Sequence, residues 1–338
     1  MNVKRAASKR RTKLAAWVGA VLLAGLGAPQ LHAAQINLVG PPGSVAFGTT
    51  VTILPNGNIV VTDPDFQSGP QRIGAVHLYD ANTLALISTL TGSSAFDNVG
   101  SGGITVVGGG HFVVSSPDWD NAALGHVNAG AVTWVNGTSG LNAAVSSSNS
   151  LVGVTSNNLV GGTGVIPLAN GNYVVSSPFW EAPGFPPDAG AVTFCNGASG
   201  RTGFVTAANS LTGSSTNDRV GNVTALPNGN YVVWSTLWDN PAAGVVNAGS
   251  LTWASGLTGI AGAVSTNNSL VGTSASDFDN ITVTPLTNGN FVVGLLYWNS
   301  VTPPVVDAGA ALLVSGTTGR VGVISSAIAL IGSNTNDR

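Results

Sequence analysis

Two pairs of carboxylates stand two residues apart, Asp63 and Asp65 in Asp63-Pro64-Asp65, and Asp118 and Asp120 in Asp118-Trp119-Asp120-Asn121. Carboxylates at that spacing, completed by loop carbonyls, are donors that a calcium ion accepts. The same pattern builds a turn in which an aspartate binds nearby backbone N–H groups, and that reading stands first. Asp97, Asp218, Asp277 and Asp337 share a single phase along the chain. A carboxylate repeated in this way is expected to order a turn rather than to catalyse. Trp119, Trp180, Trp238 and Trp298 also share a phase, with Phe66 in the equivalent earlier place. Such rings bury large apolar areas when packed. Set on a rim, they would instead be platforms on which neutral sugars stack, so the four tryptophans are the candidate binding residues.

The remaining catalytic inventory is thin. Beyond the N-terminal segment the chain has His77, His111 and His126, and its one glutamate is Glu181. No HExxH, GxSxG or phosphate-binding loop occurs. Glycoside hydrolysis generally takes two apposed carboxylates, and Glu181 has no evident partner. Cys195 is the single cysteine, so it forms no intramolecular disulfide; Val135 and Ala254 hold the matching positions, which marks it as a small strand residue. The expectation is a protein that is not an enzyme and uses no cofactor. A polysaccharide-active enzyme is the remote alternative.

The elements that position these residues come from one phrase written five times. It reads NGNIVVTDPDF at 56–66, GGHFVVSSPDW at 109–119, NGNYVVSSPFW at 170–180, NGNYVVWSTLW at 228–238 and NGNFVVGLLYW at 288–298. AGAV-like and SLVG-like phrases follow in step, with a period of about sixty residues. Repetition at that spacing marks an array of supersecondary units. In the third copy, 164–168 reads as a strand and Asn170-Gly171 as a hairpin turn. Residues 173–177 and 189–194 give two more strands, and 210–212 lies in a fourth.

Paired valines carry the architecture. Val174 and Val175 point to opposite faces of a strand yet are both apolar, as are Val60-Val61, Val113-Val114, Val232-Val233 and Val292-Val293. Each sheet should therefore be covered on both sides. Blades stacked about an axis meet that condition, which predicts an all-β, β-propeller-like fold of about five four-stranded antiparallel blades. A β-solenoid is the alternative.

Residues 1–34 read as a signal peptide. Six basic residues precede a short apolar run from Leu14 to Gly27, and small residues follow at Ala33-Ala34. Residues 35–338 then form the repeat domain. Without the signal, five arginines face fourteen acidic residues and no lysine remains. Nucleic-acid affinity rests on Lys and Arg neutralising phosphates, so nucleic acid is excluded as a partner. No membrane span is expected after cleavage. The expected location is outside the cell, at its surface or in a periplasm.

At DRVG, NGNYVVSSP and AGAVT the chain resembles the FG-GAP repeat of integrin-α-type β-propellers. Val220-Gly221 stands in the FG place, Ser176-Ser177-Pro178 in the GAP place, and Gly190-Ala191-Val192 follows. The chain is also similar to NGNYVV/AGAVT repeats of large secreted bacterial surface proteins. The resemblance implies a propeller that presents interaction loops. It does not bring calcium, because Leu168-Ala169-Asn170-Gly171-Asn172 stands where many such blades carry DxDxDG. Asn37-Leu38-Val39-Gly40 repeats the SLVG phrase, and 333–338 echoes 214–219, after which another strand pair follows in the earlier copy. A piece of a longer array is the expectation these ends raise. The functional expectation is a surface-interaction or adhesion module that meets an extracellular protein or neutral glycan through rim loops. A lectin using the tryptophan rim is the alternative.

Overall fold

The computed structural model describes residues 37–337. The signal-peptide reading of 1–34 lies outside the described residues. Within them the protein is all-β, and its strands form five successive sheets, one per sequence unit, plus two short hairpins. In the third sheet Val165–Pro167, Tyr173–Ser177, Ala191–Cys195 and Ser210–Thr212 run antiparallel in chain order. The Asn170-Gly171 turn joins the first two, with Gly171 at φ 88°, and the Leu168 N–H closes it on the Asn172 carbonyl at 2.8 Å. The other units repeat this plan, as the sequence predicts.

Sequence reading did not foresee a fifth strand. Ala143–Ala144, Gly203–Phe204, Gly262–Ala263 and Gly322–Val323 each leave their own unit and lie parallel beside the fourth strand of the preceding sheet. The chain between the third and fourth strands thus reaches back one unit. Its hold is short in hydrogen bonds, such as Val205 N–H to the Val152 carbonyl at 3.0 Å and Val264 N–H to the Thr212 carbonyl at 2.9 Å. Val145, Val205, Val264 and Ile324, just past each such strand, are buried in the junctions. Strands of two residues carry too weak a periodic signal for sequence to reveal.

The valine pairs divide as the two-sided argument requires. Val60 packs with Val114, Val113 with Val175, Val174 with Val233 and Val232 with Val293. The second, third and fourth sheets therefore each give one valine to the unit before and one to the unit after. The sheets stack face to face, with a blade topology in each unit and open succession from one to the next. This arrangement is common to propeller-like and solenoid-like arrays. Close contact between units explains the repeated glycines. Gly190 has φ +78°, and a Cβ there would run into the Val220 backbone nitrogen. Gly319 sits against the Trp253 ring, which leaves no space for a side chain.

Unit 1 is built differently. Its third and fourth strands are joined by 80–85 alone, whereas 136–149 joins them in unit 2. Unit 1 therefore has no back-reaching strand. Its outer face is covered by residues of 43–50: Ala46 N–H donates to Asp63 Oδ1 at 2.8 Å, Thr50 N–H to Thr62 Oγ1 at 2.9 Å, and Phe47 packs edge-on to Tyr79 with centroids 6.1 Å apart. Residues 43–50 thus form a cap over this face.

Candidate functional site: the loops that follow the buried tryptophans

The four tryptophans are not sugar platforms. Trp119, Trp180, Trp238 and Trp298 are all buried, each in the junction with the unit before it. No ring face is open to a ligand, which corrects the reading of them as binding residues and leaves packing as their role. Their backbone has a second task. The carbonyls of Trp119, Trp180 and Trp238 accept the N–H of Gly130, Gly190 and Gly249 at 2.9 Å, and that of Trp298 accepts from Gly309 at 3.1 Å. Each bond pinches the neck of the loop that follows, so the buried ring fixes where the loop leaves the sheet.

Two further bonds hold three of these loops, those after Trp119, Trp238 and Trp298. Asp120 Oδ1 accepts from Asn128 N–H at 2.8 Å, Asp239 Oδ1 from Asn247 N–H at 2.8 Å, and Asn299 Oδ1 from Asp307 N–H at 3.1 Å. The N–H of the same three residues donates to a carboxylate from the end of the unit before: Asp120 to Asp97 Oδ1 at 2.9 Å, Asp239 to Asp218 Oδ1 at 2.9 Å and Asn299 to Asp277 Oδ1 at 3.0 Å. The other oxygen of each buried aspartate closes its own turn, as when Asp218 Oδ2 accepts from Ser214 N–H and Ser215 N–H at 2.7 and 2.8 Å. Burial pushes the Asp97 and Asp218 carboxyls above the usual aspartate range, although these N–H bonds pull the other way. The turn-ordering role expected of this phase is what the geometry displays.

The four proposed calcium ligands are similarly occupied. Asp63 takes the Ala46 N–H on Oδ1, its buried Oδ2 having no hydrogen-bond partner among the described residues; Asp65 pairs with Arg72, Asp118 accepts from Asn98 Nδ2 at 3.3 Å, and Asp120 closes the loop described above. Among the described residues no three His, Cys, Asp or Glu side chains gather to hold a metal ion. The histidines lie in different settings. His77 is buried in unit 1, His111 meets Trp134 edge-on with centroids 4.8 Å apart, and His126 is a loop residue whose carbonyl accepts from Asn121 N–H. Glu181 contributes its backbone carbonyl to Thr155 Oγ1 at 3.2 Å.

What sequence reasoning missed is at the loop tips. Val127, Val246 and Val306 are 55%, 63% and 62% exposed, and Pro187 holds the same place in unit 3, also exposed. Leu124, Phe185 and Val301 are exposed on the same loops. Solvent-facing apolar groups at one phase of every loop differ from scattered surface leucines, which need no explanation. The signal was present in the sequence: an apolar residue or proline precedes each Asn/Asp-Ala-Gly phrase. The residue after it has positive φ, 51° at Asn128, 50° at Asp188, 52° at Asn247 and 49° at Asp307. This turn points the preceding side chain outward while its carbonyl stays bonded, as with Asn157 N–H to Val127 and Asn217 N–H to Pro187, both at 2.9 Å.

A stack of small β-sheets with a strand exchanged at each junction and a loop presented from each unit defines an all-β repeat protein. Comparison with protein-family profiles matches 106–162, 167–222, 225–280 and 285–338 to a repeat of unknown function (DUF5650), and the chain belongs to that family. No curated protein matches it. The first sheet, with its different connection and cap, precedes the four matched segments. Among the described residues no helix is long and apolar enough to cross a membrane.

Proposed function

We propose that this is a secreted, non-enzymatic surface-interaction module, whose FG-GAP-like blades hold a row of apolar-tipped loops toward an extracellular partner. The observation that carries this reading is the phase-matched exposure of Val127, Pro187, Val246 and Val306 on loops whose necks are fixed by hydrogen bonds. Function placed on loops over a rigid scaffold is a common division of labour. Loops fixed before contact lose little conformational entropy on binding. The net negative, lysine-free composition beyond residue 34 supports a partner that is neither nucleic acid nor an anionic membrane surface. With the tryptophans buried, support for a glycan partner rests on the Asn-rich loops alone, so an apolar patch on an extracellular protein is the better fit.

The test joins location and contact. The full chain, expressed in a secreting bacterial host, should appear outside the cytoplasm without its first 34 residues. Beads coated with that product should adhere to an extracellular protein layer. The triple variant Val127→Asp, Val246→Asp, Val306→Asp should lose adhesion while its melting temperature is unchanged. Retention inside the cell, or adhesion indifferent to the three charges, would sink the reading.

A further inference from the structure

The turns that follow the third strands lie at the end of each sheet opposite the loop tips. Gly140, Gly200, Gly259 and Gly319 in these turns each lie against a third-strand residue of the unit before: Leu78, Trp134, Phe194 and Trp253. The residues that follow the four glycines are Leu141, Arg201, Ile260 and Arg320. Leucine and phenylalanine are thus matched by an aliphatic residue, and each tryptophan by an arginine. Apolar contact alone does not call for that exchange, since Phe194 with Ile260 already seals one junction.

These two arginines do not neutralise the chain's own acids. Of the arginines among the described residues, Arg72 pairs with Asp65 and Arg219 with Asp188, whereas Arg201 and Arg320 have no acidic partner. Arg201 donates one long bond to the Phe194 carbonyl, at 3.4 Å; the Arg320 guanidinium donates none among the described residues. Neither lies on an indole: the guanidinium over a ring is that of Arg219, 5.3 Å from the Phe179 centroid. The indoles are fixed by their own nitrogens instead. Trp134 Nε1 donates to the Gly197 carbonyl and Trp253 Nε1 to that of Gly316, both at 2.9 Å. Both rings are half-buried. At each of these two junctions a pocket is lined by the ring and the guanidinium, about 190 Å³ with Trp134 and Arg201 and about 280 Å³ with Trp253 and Arg320. Matching positions complete the lining, Asn149 and Ser199 in one and Asn268 and Thr318 in the other.

We propose that each of these two pockets binds a carboxylate carried on a six-membered ring. A guanidinium presents a planar fork that matches the two carboxylate oxygens. The indole supplies a flat apolar wall for the ring's face, and the hydroxyls of Ser199 and Thr318 give each pocket a polar margin. The volumes fall below the range of about 300–1,000 Å³ that drug-sized ligands occupy, so they suit one ring. The ligand brings the counter-ion that the chain withholds from Arg201 and Arg320, although it has fourteen acidic residues. Because the indole is pinned before contact, little freedom is lost on binding. The junctions with Leu78 and Leu141, and with Phe194 and Ile260, lack the fork and hold no such site. Sugar acids and aromatic acids both carry the required group. The pockets are at the far end of the sheets from the loop tips, so this assignment and the loop reading stand or fall separately.

Indole N–H resonances of the nitrogen-labelled full chain report on each pocket separately. Titration with glucuronate and with benzoate should shift the Trp134 and Trp253 signals saturably, while those of the buried Trp180 and Trp238 stay fixed. Methyl glucoside and benzyl alcohol, which lack the carboxylate, should bind at least about tenfold more weakly. Arg201→Gln should abolish the Trp134 response and keep that of Trp253, and Arg320→Gln should do the reverse. Arg320 is exposed, so its variant retains the fold, and an unchanged melting curve verifies this for both. Saturation by glucuronate alone assigns a sugar acid, by benzoate alone an aromatic acid, and by both a ring carboxylate of either kind; each upholds the pockets. No saturable shift with either acid, equal affinity for the neutral compounds, or shifts that survive both glutamine changes would overturn the proposal.

Discussion

Acidification should unfasten the first unit through one side chain. His77 lies within the capped face with Phe47 at 5.8 Å and Phe66 at 5.6 Å between ring centroids. Its Nδ1 bonds Thr89 Oγ1 at 3.0 Å, and its buried Nε2 has no partner among the described residues. Burial lowers its pKa from 6.5 to about 4, against a smaller upward pull from the Asp63 carboxylate. Folded His77 thus holds fewer protons than unfolded His77 throughout that window. Its contribution is complete above pH 6.5 and is lost as pH falls toward about 4. At 1.36 kcal/mol per unit, the whole window corresponds to about 3 kcal/mol. Asp97 and Asp218 act in the opposite sense, since their raised pKa values add stability as pH falls toward the ordinary aspartate value. Chemical denaturation at steps from pH 7.5 to 4.5 should therefore show a loss that steepens below 6.5, and His77→Thr should flatten it. Threonine is the residue that units 2 to 4 carry there, as Thr133, Thr193 and Thr252, and a hydroxyl facing Thr89 repeats the Thr133–Ser150 bond of 2.7 Å. The variant is expected to be less stable at neutral pH, because the ring leaves a void under Phe47. The slope is the diagnostic. Equal slopes in parent and variant, or an NMR titration of His77 near 6.5, would refute the account.

Trp238→Ala should cost about 3–5 kcal/mol, measured by urea denaturation, and should raise proteolytic nicking within 239–248 because the loop neck loses its anchor. Asp218→Ala should cost more than Asp218→Asn, by calorimetry. Asn158 already serves the same turn, accepting from Val154 and Thr155 N–H at 2.9 and 3.1 Å, whereas alanine leaves three backbone donors without their acceptor. Cys195 is fully enclosed, and burial pushes its thiol up to about 12. A soluble thiol reagent should therefore leave it unmodified at pH 8 in the native state and modify it once denaturant unfolds the chain.

The repeat made most of the fold legible. Two apolar valines in succession require covers on both faces; the four junctions provide both covers for the second, third and fourth sheets, while Val292 in the fifth is only partly buried. Asn-Gly pairs located hairpins because their φ requirement is local. The back-reaching strands were not legible, since two residues such as Gly203–Phe204 carry no alternation and their pairing is decided by the neighbouring unit's edge. Tryptophan was ambiguous for a related reason. A ring at the exit of a strand is the same letter whether it turns inward to a junction or outward to solvent, and only the position of the preceding sheet decides. The loop-tip valines were written in plain phase but lay beside the more regular Ala-Gly signal. His77 and Tyr79 marked unit 1 as different, yet their meaning depended on the cap formed by 43–50.

The hydrogen bonds that hold a loop also explain why the loops are positioned as a set. Asp218 belongs to the end of one unit, but its Oδ1 fixes Asp239, and Asp239 closes a loop of the next. A rim loop is therefore positioned partly by the unit before it, and no unit completes its own presentation. Stability in such arrays is approximately a sum of unit and nearest-neighbour terms. Here the neighbour term includes the backbone strand, the glycine seat and the carboxylate relay together, so weakening a junction displaces the loop beyond it as well as lowering the melting point. Loop spacing is then a property of the junctions. If the loops act as the proposed contact surface, the intervals between their apolar tips are set by a sheet-to-sheet distance of roughly 10 Å, which would suit a partner whose own features are extended or repeated more than one that fits a single pocket.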